Sequence, residues 1–293
     1  MQVIDEAVSR FPNRKPEWTF SGGLFLNGLI AMYRASGKIE YRSAALGWME
    51  KNVSSEGAIL QAPVCTMDLA ACGKALFFAL DETGGEPYKM ALDAVADRVK
   101  EKHLPDTPAG LYAVMPFLAE DDTRLGGRQT YKAMSHQFQA VHQAMFVPEK
   151  GLYCAEDGRF SILDEGFMLM ALADTAETLD MQIYEHYRTL ADMFLETVRC
   201  LLTYRIQEIG LLTDSVIDSD DLLTMDGNLM TAYALFKGIR LGLLEDEKYM
   251  PIALQMVSAM HNTCGSDLLD SDFPGNLCYR IMTEAEMIEV KKK

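Results

Sequence analysis

Five short stretches carry residues able to hold and protonate a sugar: Trp18-Thr19-Phe20, Met67-Asp68, Asp106-Thr107-Pro108-Ala109, Asp164-Glu165 and Asp226. Hydroxyls need acceptors, a sugar face stacks on an indole ring, and protonation needs a positioned carboxylic acid. Asp68 stands out as the only charge between Glu56 and Lys74, entering a wholly apolar segment. Desolvation in such a place raises a carboxyl pKa, which suits a general acid. A plainer reading stands beside this one. Asp is a favoured N-cap and acidic groups suit helix N-termini, so Asp68, Asp164 and Asp226 could act as caps alone. Trp18, one of two tryptophans, could equally anchor a core.

The elements that position these residues are helices of two kinds. Gly23 to Tyr33, Met67 to Leu80, Gly166 to Ala173 and Leu229 to Leu235 are apolar almost all round, the mark of helices buried on every side. Tyr88 to Lys100, Tyr184 to Leu202 and Tyr249 to Met260 place apolar residues at helical spacing among charges and bury one face only. The kinds alternate. A polar turn and a tyrosine open the one-faced helices near Tyr41, Tyr88, Tyr131, Tyr184 and Tyr249, at a period of roughly 40 to 65 residues. Short extended phrases, Glu56 to Ile59, Lys150 to Tyr153 and Ile209 to Leu212, lead back to the next buried helix. Five such hairpins can form an open superhelix or a closed α/α toroid, and full burial of the inner helices favours closure. In a closed ring the inner helices run parallel, so their starts, which carry the chemistry-bearing residues, converge on one face. No Pro/Gly/Ser-rich linker interrupts the series, so residues 1–293 are expected to form one domain.

Composition narrows the partners. With 27 Lys plus Arg against 43 Asp plus Glu, the net charge of −16 repels a phosphate backbone or an anionic membrane surface. No apolar run approaches the roughly 18 residues needed to span a bilayer, and Met1 to Glu6 lacks the character of a signal peptide. Cys65, Cys72, Cys154, Cys200, Cys264 and Cys278 contain no Cys-x-x-Cys pair, so reduced thiols in a cytoplasmic protein are expected. Neither a metal nor a cofactor is expected. Glu120-Asp121-Asp122 falls in an inner-to-outer turn, Asp214 to Asp221 lacks the glycine and closing Glu of a calcium loop, and the histidines show no paired spacing.

At these residues the sequence resembles the unsaturated glycuronyl hydrolases, glycoside hydrolase families 88 and 105, most closely the unsaturated rhamnogalacturonyl hydrolases. The resemblance runs from about Trp18 to Met260. It rests on Trp18-x-Phe20 with Gly23-Leu24-Phe25-Leu26-x-Gly28, Met67-Asp68, Gly110-Leu111-Tyr112 followed by Met115 to Ala119, Gly151-Leu152-Tyr153, Gly166 with Met170-Ala171-Leu172, and Tyr233 to Leu244. It implies an all-α (α/α)6 barrel. It also implies hydration of the C4=C5 double bond in an unsaturated uronic acid, with an Asp protonating the double bond and helping to activate water. The resulting hemiketal then releases the neighbouring sugar.

Three positions depart from that pattern. Asp68 matches the first active-site aspartate, but the second falls on Ala109, the expected His falls on Cys154, and the expected Arg falls near Leu163. Asp267 to Lys293 is short for a complete sixth hairpin; Met1 to Phe11 or a second copy of the chain, as a homo-oligomer, could supply the missing wall. Two functions follow. In one, Asp68 works with a displaced carboxylate, Asp106, Asp164 or Asp226, on an oligosaccharide held by Trp18, Phe20, Tyr112, Cys154, Glu165 and Asp226. In the other, catalysis is lost and the pocket binds carbohydrate, or the shell serves as an interaction scaffold.

Overall fold

The computed structural model describes residues 2–10, 17–181, 183–263 and 275–292. Among them are α1 (Gln2–Arg10), α2 (Phe20–Ser36), α3 (Ile39–Asn52), α4 (Thr66–Thr83), α5 (Glu86–Lys100) and α6 (Pro108–Asp121). Then follow α7 (Tyr131–Met145), the strands β1 (Phe146–Val147) and β2 (Leu152–Tyr153), α8 (Ile162–Thr178), α9 (Tyr184–Leu201), α10 (Met225–Arg240), α11 (Asp246–Thr263) and α12 (Gly275–Val290). The two kinds of helix expected from the residue pattern are both present. In α8 every residue from Met168 to Ala173 is 0% exposed. In α9, Leu190, Phe194, Val198 and Leu201 are buried while Glu185, Arg188, Asp192, Glu196 and Arg199 face water. No helix among the described residues is long and apolar enough to cross a membrane.

The chain divides into two compact units, Met1–His103 with Ser266–Glu289, and Leu104–Gly265 with Val290–Lys293. In the first, α2 and α4 run side by side in the same direction, because their contacts advance together. The Phe20 N–H donates to Asp68 Oδ1 at 2.6 Å, and further along Asn27 Nδ2 donates to the Ala71 carbonyl at 3.3 Å. Between these contacts the helices meet at Gly23, where an added Cβ would lie 2.5 Å from the carbonyl carbon of Ala71. That neighbour is backbone and cannot rotate away. Gly23→Ala is therefore expected to cost about 1–3 kcal/mol as α2 and α4 are forced apart, read as a lower urea midpoint at unchanged slope.

Residues from both ends of the chain belong to this unit. Ile4 and Val8 of α1 are buried, and α1 lies by α3, where Asp5 accepts from the Tyr41 hydroxyl at 2.6 Å and from Lys38. Helix α12 is of the buried kind, with Leu277 to Tyr279 and Ile281 to Ala285 at 5% exposure or less among its apolar members, and Ile281 packs on Gly28 of α2. The segment expected to be too short for a last hairpin thus supplies an inner helix, and α1 a one-faced one. Cys264 lies outside the described residues.

In the second unit α8 and α10 are parallel and in register. A Cβ on Gly227 would meet Ile162, one on Gly166 would meet Met230, and farther along Asp174 accepts from Tyr233 and Lys237. Helix α6 joins on the other side of α8, with the Tyr112 and Phe167 rings 5.9 Å apart. The extended phrases form small hairpins: β1 and β2 pair antiparallel, Val53 bridges Ile59, and Thr213 bridges Leu223. The Gly151 of the second phrase sits at φ 67° against Cys200, a conformation and a closeness that a side chain would oppose.

Candidate functional site

The helix starts are built to place side chains. Thr19, Thr107 and Ser161 cap α2, α6 and α8 by accepting from Gly22, Gly110 and Leu163 N–H groups. The N-cap positions of α4 and α10 are Cys65 and Thr224, with no side-chain cap. Asp68, Asp164 and Asp226 therefore each stand one or more residues inside their helix, and none caps it from the N-cap position. Asp68 instead satisfies an orphan N–H of α2, that of Phe20, across the helix pair.

In the first unit, Phe20 and Asp68 are half-buried. Trp18 is 4% exposed, its ring 5.6 Å from that of Trp48 and its Nε1 donating to the Leu69 carbonyl at 3.4 Å. The core-anchor reading replaces the stacking platform, because a ring so enclosed offers no open face.

In the second unit the first turns of α8 and α10 bring Asp164 and Asp226 to the same end of a parallel pair. Both are half-buried. Burial pushes the Asp226 carboxyl up to about 6. Burial also raises Asp164, against the pull of Arg159 and with some help from Asp157. The loop between α9 and α10 packs here, the Ile162 N–H donating to the Asp214 carbonyl at 2.9 Å. Three of its acidic residues are occupied with the loop itself: Asp214 accepts from the Thr224 hydroxyl, Asp218 from the Asp220 N–H, and Asp221 from the Ser215 and Leu222 N–H groups. Val216, a β-branched residue, is held at φ 65° with 2% exposure, a strained conformation that the loop closure must sustain.

The remaining expected residues are placed differently. Asp106 is exposed in the loop before α6, Ala109 is half-buried in the first turn, and Tyr112 is buried beside Phe167. Cys154 is half-buried just after β2, its N–H donating to the Met145 carbonyl. Glu165, expected to touch substrate, is 0% exposed and accepts from the Tyr153 N–H at 2.6 Å, so it belongs to the interior. Glu120-Asp121-Asp122 is no metal motif: Asp122 is 1% exposed and accepts from the Gln129 N–H and from the N–H and hydroxyl of Thr130, closing the π-helical turn Asp122–Gly126. No group of three or more His, Cys, Asp or Glu among the described residues is disposed to hold a metal ion.

Sequence reasoning missed an ionic cluster at the other end of α8 and α10, built on the buried pair of Asp174 and Lys237. Lys237, 3% exposed, donates to Asp174 at 2.7 Å and to the Tyr233 hydroxyl at 2.9 Å, and pairs with Glu177 at 2.6 Å; Arg240 also pairs with Glu177, at 2.7 Å. Although burial works against it, the cations Lys237 and Arg240 hold the Glu177 carboxyl down at about 2. The available signal was a lysine inside an otherwise apolar helix, with Asp174 inside another.

The family model for Glycosyl Hydrolase Family 88 matches residues 1–279. No curated protein matches the sequence. Among solved structures, the fold is similar to a family 105 glycoside hydrolase from C. acetobutylicum ATCC 824, at 20% identity and TM-score 0.84 over 100% of this chain and 99% of that one. A family 88 glycosyl hydrolase from Bacteroides vulgatus gives 15% and 0.80 over 99% of each chain. An inactive variant of the alpha-1,6-mannanase GH76A of Salegentibacter sp. HEL1_6, in complex with alpha-1,6-mannotetrose, gives 13% and 0.66 over 99% of this chain and 98% of that one. The fold is thus all-α and of the helical-barrel class that the hairpin repeat led us to expect.

Proposed function

Since the chain belongs to glycosyl hydrolase family 88, we propose that it acts on an oligosaccharide carrying an unsaturated uronic acid, hydrating the C4=C5 double bond with Asp226 as the proton donor. One observation carries this assignment: Asp226 sits half-buried in the first turn of α10 with its carboxyl raised to about 6 by desolvation. A carboxylic acid that is half protonated near pH 6 and still reaches solvent has the properties a general acid needs. Asp68 is the carboxylate that the resemblance assigns to the active site, and Asp164, also raised by burial, is the second candidate in the α8–α10 pair. We take the chain to act as one domain in the cytoplasm. The described cysteines are free thiols, which supports a reducing compartment.

The chemistry assigned to this chain's residues is a proton transfer followed by addition of water. Asp226 delivers its proton to the double-bond carbon, water adds at the neighbouring carbon, and the hemiketal opens to release the attached sugar. The carboxylate left behind then recovers its proton from solvent.

A second reading has its own observation. Ala109 stands where the family resemblance places an aspartate, and Asp106, three residues earlier, is exposed. On this reading the protein binds the sugar without turning it over. Incubation with lyase-generated unsaturated disaccharides separates the two: loss of the ultraviolet absorbance of the double bond supports hydration. Saturable binding with no loss selects the binding protein, and neither result would leave only a scaffold.

A further inference from the structure

Two buried side chains in the second unit face equivalent positions of the repeated phrase, and their head groups differ in one atom, the nitrogen of an amide against the second oxygen of a carboxyl. Asn228, in the first turn of α10, grips Leu212 at two points: its Oδ1 accepts from the Leu212 N–H at 2.9 Å and its Nδ2 donates to the Leu212 carbonyl at 2.9 Å. Glu165, in the first turn of α8, accepts from the Tyr153 N–H through Oε1 at 2.6 Å, while Oε2 is buried without a hydrogen-bond partner. The strand pairing says where the Tyr153 carbonyl points. Tyr153 lies opposite Phe146, and the neighbouring Cys154 N–H bonds to the Met145 carbonyl at 2.8 Å. Hydrogen-bonded and non-hydrogen-bonded pairs alternate along an antiparallel ladder, so the N–H and the carbonyl of Tyr153 both turn away from β1, toward the side where Glu165 sits.

We propose that Glu165 works as a neutral carboxylic acid, accepting from the Tyr153 N–H and donating its Oε2 proton to the Tyr153 carbonyl, and that its ionisation at alkaline pH loosens β2, the strand just ahead of Cys154. The proton needed is the carboxyl's own, and on ionisation it passes to solvent. An ionised carboxylate would leave two acceptors facing one donor and one acceptor, whereas the acid matches both, as the amide of Asn228 does. Complete burial raises the Glu165 carboxyl well above its ordinary range, the Tyr153 N–H opposing and Asp164 adding to the rise. The other titratable groups around it push the same way or are neutral. Cys200 and Glu196 of α9 are acidic, and the Tyr153 hydroxyl meets His142 of α7 at 2.9 Å, an imidazole kept below its usual pKa by burial. Helices α10 and α6 bring Asp226 and Tyr112 in their first two turns; among the described residues the charged group that acts on Glu165 is Asp164, and the cation before α8, Arg159, acts on Asp164.

The role makes Glu165 a positioning residue, and it stands independently of the proposed reaction. Its sign in stability is fixed. The unfolded chain releases this proton above the ordinary pKa while the folded chain keeps it. Stability is therefore lost as pH rises, by roughly tenfold in the folding equilibrium constant per pH unit until the folded-state pKa is passed. Glu165→Gln retains the two-point grip with nothing to ionise. Urea unfolding of wild type and Glu165→Gln from about pH 5 to about pH 9 is expected to show a steeper alkaline loss in the wild type. Infrared spectra of the wild type at neutral pH are expected to show a protonated-carboxyl band that Glu165→Gln lacks. Equal pH slopes for the two proteins would overturn the proposal. Should Glu165→Gln not fold, the wild-type infrared spectrum decides alone, and absence of a protonated-carboxyl band at neutral pH would sink it.

Discussion

Asp226→Asn is expected to reduce turnover of an unsaturated disaccharide by about 10²–10⁴-fold, the range that one positioned general acid contributes. The amide keeps the shape and removes the proton. In the wild type the protonated fraction of Asp226 halves near pH 6, so turnover should fall by about tenfold per pH unit above that point. The variant should show no such limb. Stability runs in the opposite sense, which separates lost chemistry from lost fold. A carboxyl raised by burial destabilises the folded state as pH climbs from its ordinary value through about 6, and Asn carries no such penalty. Asp226→Asn should accordingly be at least as stable as the wild type at neutral pH. A variant that is folded and turns over within threefold or so of wild type would remove Asp226 from the reaction.

Lys237→Met carries the largest expected loss of stability, about 3–5 kcal/mol, because it strips the ammonium from Asp174, a carboxylate held away from water. Asp174 is 3% exposed and Lys237 donates to it at 2.7 Å, so the anion cannot recover hydration where it stands. Methionine matches the length of the aliphatic stem, so lost packing contributes little. The double variant Lys237→Met with Asp174→Asn should regain part of the loss, since the amide is cheaper to bury than an unpaired charge. A single variant within about 1 kcal/mol of wild type, by urea denaturation, would show that the cluster does not hold α8 to α10.

How much of this was legible in the sequence depends on whether a residue's role is set by its own neighbourhood or by a distant one. The alternation of all-apolar and one-faced helices was legible because period and burial are local: Met168 to Ala173 has no polar face to offer water, and Glu185 to Arg199 has one. The convergence of Asp164 and Asp226 at one end of a parallel pair followed from the same alternation. Trp18 was not decidable, since indole suits a sugar and a core equally, and only the position of Trp48 settles it. Glu165 was misjudged beside Asp164 because one residue turns a helical side chain by about 100°, enough to separate an interior from a surface. The Lys237 cluster joins α8 to α10 across some sixty residues, a pairing that no local pattern announces.

Helix α8 thereby carries opposite fastenings at its two ends. At its start, Glu165 is secured by a proton; near its finish, Glu177 is secured by the absence of one, its carboxyl held at about 2. Acid must reach well below the ordinary glutamate pKa to release the finish, and alkali acts on the start. The rod should fray from one end in base and from the other in acid, so amide hydrogen exchange along α8 should reverse its gradient between the two extremes.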